Sequence, residues 1–406
     1  MSLRTDAEQI IRAAIRAADP YENTADILRT LQLPEKARVF SIGKAAIPMA
    51  KAAADVLGDR IAYGLVVTKY GHTGDFSSPF FQVIEAAHPV SDNNSVLAAE
   101  TAMAAVKDLG ADDAVLVLLS GGGSALFEAS KVPPALQREI TEKLLARGAS
   151  VNELNAVRKR LSRVKGGRFA ALCYPARVIT VALSDVLGDD RGVIASGVTT
   201  PDETADETLQ KIAEKYLYDV PEQELRALYQ NEKLTINDGG YVFAGNIRML
   251  CAAAVKAAEA LGYKARLLTE ALAGEAREQP GKLLRALPPT GKHALICGGE
   301  TTVTLHGNGK GGRNQEMALA AAILLQGTEN VLFASVGSDG TDGPTDAAGG
   351  FASGGACEKM RTAGVSPEAA LANNDAYHAL KAAGDLIVTG PTGTNVNDLT
   401  ILLTDR

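Results

Sequence analysis

The chain has 406 residues, a formal charge of −7, 40 glycines and no tryptophan. Its length exceeds what one ordinary core encloses and predicts two domains. An acidic balance without a basic run excludes a nucleic-acid surface on electrostatic grounds, and no apolar run reaches the roughly 18 residues that cross a bilayer.

From the start, Leu3, Ala7, Ile10, Ile11, Ala14, Ile15 and Ala18 fall on one helical face and form no signal-peptide core, so a cytoplasmic chain is expected. Asp19-Pro20 breaks this helix, and a second runs toward Pro34. Residues 38–42 are predicted as a strand, after which Gly43-Lys-Ala-Ala-Ile-Pro48 opens a helix, with Pro48 in its first turn. Residues 62–69 form a strand ending in a turn with His72. Residues 80–87 form another, ending in His88-Pro-Val-Ser-Asp92, where Ser91 or Asp92 caps the helix that follows. Residues 114–119 are a buried strand that delivers Ser120-Gly-Gly-Gly-Ser124. Two helices lie between Pro134 and Leu172, and a strand at 177–183 ends in Ser184-Asp-Val-Leu-Gly-Asp-Asp190.

Short apolar strands alternating with helices predict an α/β fold with a mostly parallel sheet. Nearly every strand presents polar and glycine-rich residues at its C-terminal end, the edge where open α/β sheets bind ligands. Around 205–235 the chain turns charged and helical, and Asn237-Asp-Gly-Gly240 marks a break. The expected domains are 1–230 and 231–406, with the boundary near Asn231. The second half alternates again, with strands at 265–269, 293–297 and 331–336, helices up to Ala383, and strands at 385–388 and 399–403.

The stretch from Gly298 to Glu316 concentrates glycines beside Glu300, Lys310, Arg313, Asn314 and Gln315, ahead of a helical pattern at 317–325. Glycines let backbone amides approach an anion, and a helix start adds partial positive charge. Arg313 can offer a planar fork to a carboxylate or phosphate. Ser120, Gly121, Gly122, Gly123 and Ser124 form a plausible phosphate cradle, without the GxxxxGK[ST] pattern of a Walker loop. Lys44, at a strand-to-helix junction, suits a transferring phosphoryl group. Asp185, Asp189 and Asp190 follow one strand and Asp339, Asp342 and Asp346 another. Carboxylates so placed can hold Mg²⁺ or accept a proton from a hydroxyl, and several serve only as turn residues. Cys173, Cys251, Cys297 and Cys357 lack metal spacing and are expected as buried free thiols. Amide cradles, isolated cations and carboxylates together suit phosphoryl transfer.

Six motifs of the first half resemble the N-terminal domain of the class II glycerate 2-kinases: Ser41-Ile-Gly-Lys-Ala-Ala46, Ala87-His-Pro-Val-Ser-Asp92, Leu119-Ser-Gly-Gly-Gly-Ser-Ala-Leu126, Asn152-Glu-Leu-Asn-Ala-Val-Arg158, Lys165-Gly-Gly-Arg168 and Leu183-Ser-Asp-Val-Leu-Gly-Asp189. Gly298-Gly-Glu-Thr-Thr-Val303, Gly311-Gly-Arg-Asn-Gln-Glu316, the run from Gly337 to Gly349 and Thr392-Gly-Thr-Asn-Val-Asn-Asp398 resemble its C-terminal MOFRL domain. The resemblance implies a Rossmann-like N-terminal domain, a smaller α/β C-terminal domain and an active site in an interdomain cleft. It implies a kinase that uses ATP and Mg²⁺ to phosphorylate D-glycerate at its 2-hydroxyl, with Lys44 and Arg313 as the two basic active-site residues. Some members carry the label hydroxypyruvate reductase, which makes a nicotinamide-dependent reductase the alternative. Within that frame Arg313 is expected to grip the glycerate carboxylate and Lys44 to neutralise the moving phosphoryl group. Asp185 or Asp189 is expected to serve Mg²⁺ or act as base, with Glu300, Asp339, Asn314 and Asn397 completing the site and Asp339 a further metal ligand. The expected partners are small molecules, with no nucleic acid or membrane, and the expected state is a monomer or small homo-oligomer.

Overall fold

A computed structural model describes residues 2–230 and 232–406. It contains twelve strands: β1 (Ala37–Ile42), β2 (Ile61–Lys69), β3 (Phe81–Ala86), β4 (Ala114–Leu119), β5 (Arg177–Leu183), β6 (Asn237–Gly245), β7 (Lys264–Leu272), β8 (Lys292–Gly299), β9 (Val331–Gly337), β10 (Gly349–Ser353), β11 (Leu386–Ile387) and β12 (Asp398–Asp405). They form two six-stranded sheets, ordered β3-β2-β1-β4-β5-β6 and β11-β10-β9-β12-β8-β7.

The first sheet belongs to an N-terminal unit of Pro20–Leu183 and Asp189–Ala244. Its strands β1 to β5 pair in parallel. The centre is apolar on both faces: all six residues of β4 are buried, as a strand covered by helices on both sides requires. The strand order is that of a doubly wound nucleotide-binding sheet, in which the direction of winding reverses between β1 and β4. The loops leaving those two strands are bonded to each other. Ser120 N donates to Ile42 O at 2.9 Å, Lys44 N to Gly121 O at 2.9 Å, and Ala45 N to Ser120 Oγ at 3.0 Å. Gly43 has φ +129°, and a Cβ there would stand 2.2 Å from Ser120 Oγ. Only glycine fits this crossing.

A helical layer in the same unit closes around Ile140, Leu144, Val157, Leu161, Leu209 and Leu228. The fully buried Arg160 is held there by Asp206 Oδ1 at 2.5 Å, Thr204 O at 2.9 Å and Leu228 O at 3.2 Å. Lys165 and Glu128 form a buried ion pair, with Ser162 Oγ on the other glutamate oxygen.

The C-terminal unit comprises Gly245–Arg406, the short segment Ser184–Gly188 and the opening of the chain through Asp19. The first helix, Leu3–Ala17, buries Ala7, Ile10, Ile11 and Ala14 on the face its periodicity marks. Tyr263 Oη ties it down by donating to Asp6 Oδ2 at 2.7 Å. The compact units are therefore not the contiguous segments 1–230 and 231–406, because an amphipathic helix joins whatever core takes its apolar stripe. The expected boundary residue Asn231 lies outside those described.

The second sheet is mixed: β7 and β8 are parallel, and every other pairing is antiparallel. Two of its features escape the sequence pattern. The segment beginning Asn237-Asp-Gly-Gly240, expected as a break, is strand β6 at the edge of the first sheet, and β10 replaces part of an expected helical stretch. In both, glycine permits contact with a neighbouring strand: a Cβ on Gly239 would lie 2.6 Å from Arg177 Cγ, and one on Gly349 only 1.9 Å from Ser335 O. The four cysteines are buried and free. Among the described residues no helix is long and apolar enough to cross a membrane.

Replacing Gly43 with alanine should lower the melting temperature by several degrees, since a left-handed backbone and a steric overlap each cost roughly 1–3 kcal/mol. Gly58→Ala is the control, because Gly58 has φ +50° but open space around it. Equal shifts for the two variants in a thermal melt would show that the β1–β4 crossing tolerates a side chain.

Candidate active site

Strand β12 runs antiparallel between β8 and β9, so its first residue, Asp398, faces Gly299 and Gly337 where those strands end. Glu300, Ser338 and Asp339, and Asn397 and Asp398 thereby collect at one edge of the second sheet. Arg313, the first residue of the helix Arg313–Leu325, reaches into this group. Its Nε donates to Asp398 Oδ2 at 2.5 Å and its Nη2 to Asp398 Oδ1 at 3.0 Å, while Nη1 donates to Glu300 Oε1 at 2.7 Å. Asp398 is 6 % exposed. Burial pushes its carboxyl up to about 6 despite the pull of Arg313. For Arg313, burial works against the charge, but the Asp398 carboxylate outweighs it and the guanidinium is held above its usual pKa. The Nε and Nη2 side of the fork is therefore committed to Asp398, and Nη1 is shared with Glu300.

Asn397 is the next link. Its Nδ2 donates to Asp185 O at 2.8 Å and to Glu300 Oε2 at 3.1 Å, from a backbone with φ +65°. Its Oδ1 is buried and meets no donor among the described residues. The structure thus assembles Arg313, Glu300, Asn397 and Asp185 as one bonded group, with Asp398 at its base. Sequence reasoning left Asp398 out. The available signal was an acid heading a buried strand, directly after a polar turn.

The helix start does not offer the anion site expected of it. Asp342 fills that place: it accepts from Asn314 N at 3.1 Å, Gln315 N at 2.8 Å, Asn314 Nδ2 at 3.2 Å and Gln315 Nε2 at 3.0 Å. A Cβ on Gly312 would lie 2.4 Å from Asp342 Cγ, so this glycine makes room for the chain's own carboxylate. Burial raises the pKa of Asp342 against those four hydrogen bonds. Asn314 is buried beneath the helix start, takes a hydrogen bond from Ser335 Oγ at 2.6 Å on its Oδ1, and does not line the cleft described next. Backbone amides of residues 306–310 are also spent internally. His306 N and Gly307 N donate to Asn374 Oδ1 at 2.7 and 3.1 Å, Gly309 N to Asn373 O at 2.9 Å, and Lys310 N to Asp375 Oδ1 at 2.9 Å. These residues lie flat on the 373–375 turn and do not form a phosphate nest.

Above the edge opens a cleft of about 840 Å³, wholly within the C-terminal unit. Glu300, Arg313, Glu316, Asp339 and Asp342 supply its charge. Glu316 is already paired, with Arg277 Nε at 2.8 Å and Asn374 Nδ2 at 2.9 Å. Asp339 Oδ1 accepts from Thr341 N at 2.9 Å.

The N-terminal unit carries a second polar edge at the β1–β4 switch point. A Cβ on Gly122, which has φ +88°, would lie 3.2 Å from both Lys44 Cγ and His88 Cδ2, so the lysine stem and the imidazole flank this glycine. Burial first, and the charge of Lys44 second, hold His88 below its usual pKa, and burial with Lys69 and Lys44 does the same to His72. Neutral imidazoles leave the cationic role to lysine. Ser120 is buried in the β1–β4 crossing, and Ser124 Oγ lies 2.8 Å from Ser196 Oγ. Asp189, with φ +57°, belongs to this unit, whereas Asp339 belongs to the other. Among the described residues no group of three His, Cys, Asp or Glu side chains is placed to hold a metal ion.

Comparison with known proteins follows this geometry. Residues 6–229 match the family model described as "Domain of unknown function (DUF4147)", and residues 293–398 match the MOFRL family. The chain is 44% identical to a D-glycerate 2-kinase of Thermotoga maritima over 98% of each chain. It is 39% identical to a putative hydroxypyruvate reductase of Agrobacterium vitis, covering 99% of this chain and 95% of that protein. The crystal structure of a glycerate kinase from Thermotoga maritima matches with a TM-score of 0.93 at 44% identity, covering 99% of both chains. With both family regions in order and whole-length similarity to a glycerate 2-kinase in sequence and in structure, the chain belongs to the class II glycerate 2-kinase family.

Proposed function

We propose that the chain transfers the γ-phosphoryl group of ATP to the 2-hydroxyl of D-glycerate, giving 2-phosphoglycerate and ADP. The observation that carries this reading is Arg313, a guanidinium locked by Asp398 so that its terminal edge addresses the cleft. That edge is the donor geometry a small carboxylate requires. Glycerate so held is oriented by its acid group, which turns a hydroxyl on the adjacent carbon toward the phosphorus. The 2-hydroxyl oxygen forms the new P–O bond, the bond from phosphorus to the bridging oxygen of ADP breaks, and the hydroxyl proton passes to a base, for which Asp185 or Asp189 is the candidate. Lys44 neutralises charge on the moving phosphoryl group, with Gly121–Ser124 as its phosphate cradle.

The oxygen donors at the second sheet edge fit Mg²⁺: Asp339 faces the cleft, and Asn397 Oδ1 is buried without a donor. Asp339, or Asp189 in the other unit, would hold the ion by one carboxylate, with phosphates and water as the remaining ligands. Bound there, Mg²⁺ supplies charge neutralisation for the phosphate oxygens.

The reductase reading predicts a nicotinamide fingerprint, and among the described residues none stands in its proper structural setting. Gly307, Gly309 and Gly312 have the spacing of a dinucleotide fingerprint. They follow no strand directly, since β8 ends at Gly299, and Asp342 sits on the helix start where a pyrophosphate would bind.

Arg313→Lys should lower kcat/KM for D-glycerate about 100-fold while the KM for ATP moves less than about twofold, because lysine cannot reproduce a fork. Lys44→Ala should instead reduce kcat, by roughly 10²–10³-fold. Steady-state kinetics decide both, and an unchanged glycerate KM in Arg313→Lys would refute the carboxylate assignment. The pH profile is a separate check. Asp398 aims Arg313 only when ionised, so kcat/KM for glycerate should be retained above about pH 6 and fall as pH drops through it. Asp398→Asn should lose that acidic limb, and a variant that keeps it would assign the limb to another group.

A further inference from the structure

We infer that the cleft of the C-terminal unit takes the nucleoside end of the nucleotide, with Leu305 and Val303 as the apolar wall beside the adenine ring. This rests on the kinase reading and assigns the part of ATP that the reading leaves unplaced. Three observations carry it. The first is size: about 840 Å³ lies within the roughly 300–1,000 Å³ typical of pockets for drug-sized ligands, and a three-carbon acid on Arg313 would leave most of it open.

The second is charge. Four carboxylates, from Glu300, Glu316, Asp339 and Asp342, line the cleft against the single guanidinium of Arg313. Such a lining repels a bare polyphosphate, and its one obvious amide site, the start of the helix Arg313–Leu325, is already filled by Asp342. An uncharged heterocycle meets no such repulsion, and with Glu316 paired to Arg277 and Asn374 and Asp342 to the helix start, Glu300 and Asp339 are the accessible acceptors for the exocyclic amine of adenine. The basic edge at Lys44 is the opposite case, suited to phosphate.

The third is the wall itself. Leu305 is 75 % exposed, and it lines the cleft with Val303, Leu187, Pro344 and Ala376. A single exposed leucine is ordinary. One that shares a concave surface with four other apolar residues offers a flat ring a place to leave water. The segment bearing it is fixed: Thr304 N and Oγ1 donate to the Glu275 carboxylate at 2.7 and 2.9 Å, and His306 N to Asn374 Oδ1 at 2.7 Å. The wall is therefore preformed.

The test uses the full-length protein, with Leu305→Asp and Leu305→Ala as variants and Leu145→Asp, an exposed leucine outside the cleft, as control. Binding of N-methylanthraniloyl-ADP is followed by fluorescence, and KM is measured for both substrates. Leu305→Asp should raise the Kd for the nucleotide and the KM for ATP about tenfold, and Leu305→Ala severalfold, with the KM for D-glycerate within about twofold. Inhibition by inorganic tripolyphosphate, which has no base, should be unchanged in Leu305→Ala. Unaltered nucleotide binding in both Leu305 variants would overturn the inference alone, as would a rise confined to the glycerate KM. If the unaltered protein neither binds the nucleotide nor forms ADP, the kinase reading falls and this inference with it.

Discussion

The bidentate bond between Arg313 and Asp398 ties the polar edge of the C-terminal unit to its sheet. A guanidinium withdrawn from water loses hydration that only a well-formed pair restores, and a carboxylate as buried as Asp398 would take up a proton without its partner. Arg313 favours the ionised form of Asp398 against its burial, and Asp398 fixes the direction of Arg313. The antiparallel pairing of β12 with β8 and β9 makes the pair possible, because it sets the beginning of one strand against the ends of two others. Glu300 then accepts from Arg313 Nη1, Asn397 joins Glu300 to the Asp185 carbonyl, and residues far apart in sequence share one geometry. Removing Asp398 would leave an arginine with the right charge and no fixed direction.

Glycine has two different uses here. At Gly43 and Gly312 it makes room for another group of the protein, Ser120 in one case and Asp342 in the other. Around Gly122 it leaves space that the Lys44 stem and His88 border. A glycine-rich loop before a helix therefore signals close approach, and the approaching group can be the chain's own carboxylate as readily as a phosphate. The helix Arg313–Leu325 shows the consequence: its start is capped internally by Asp342.

Much of this was legible in the sequence. The alternation of apolar strands and helices gave the N-terminal sheet, and the polar ends of β1, β4 and β8 marked the edges where Lys44, Ser120 and Glu300 stand. What stayed hidden has common physical roots. Strands β6 and β10 begin with glycines that look like turns, because contact with a neighbouring strand and a chain reversal both select a missing side chain. The pairing direction of the second sheet is a long-range property, so nothing local showed that Asp398 would meet Arg313, 85 positions away. Asn314 looked exposed beside an arginine and a glycine pair, yet the helix turns it inward onto Asp342 and Ser335. The first helix was correctly seen as amphipathic, but its stripe carries no label for which core receives it.

Phosphoryl transfer to the 2-hydroxyl of D-glycerate is tested most directly by the identity of the product. The protein incubated with ATP, Mg²⁺ and D-glycerate should release ADP, and the product should be turned over directly by enolase, which accepts the 2-phosphate. Release of ADP without direct enolase turnover would contradict the 2-hydroxyl assignment, and failure to release ADP would contradict the kinase reading itself.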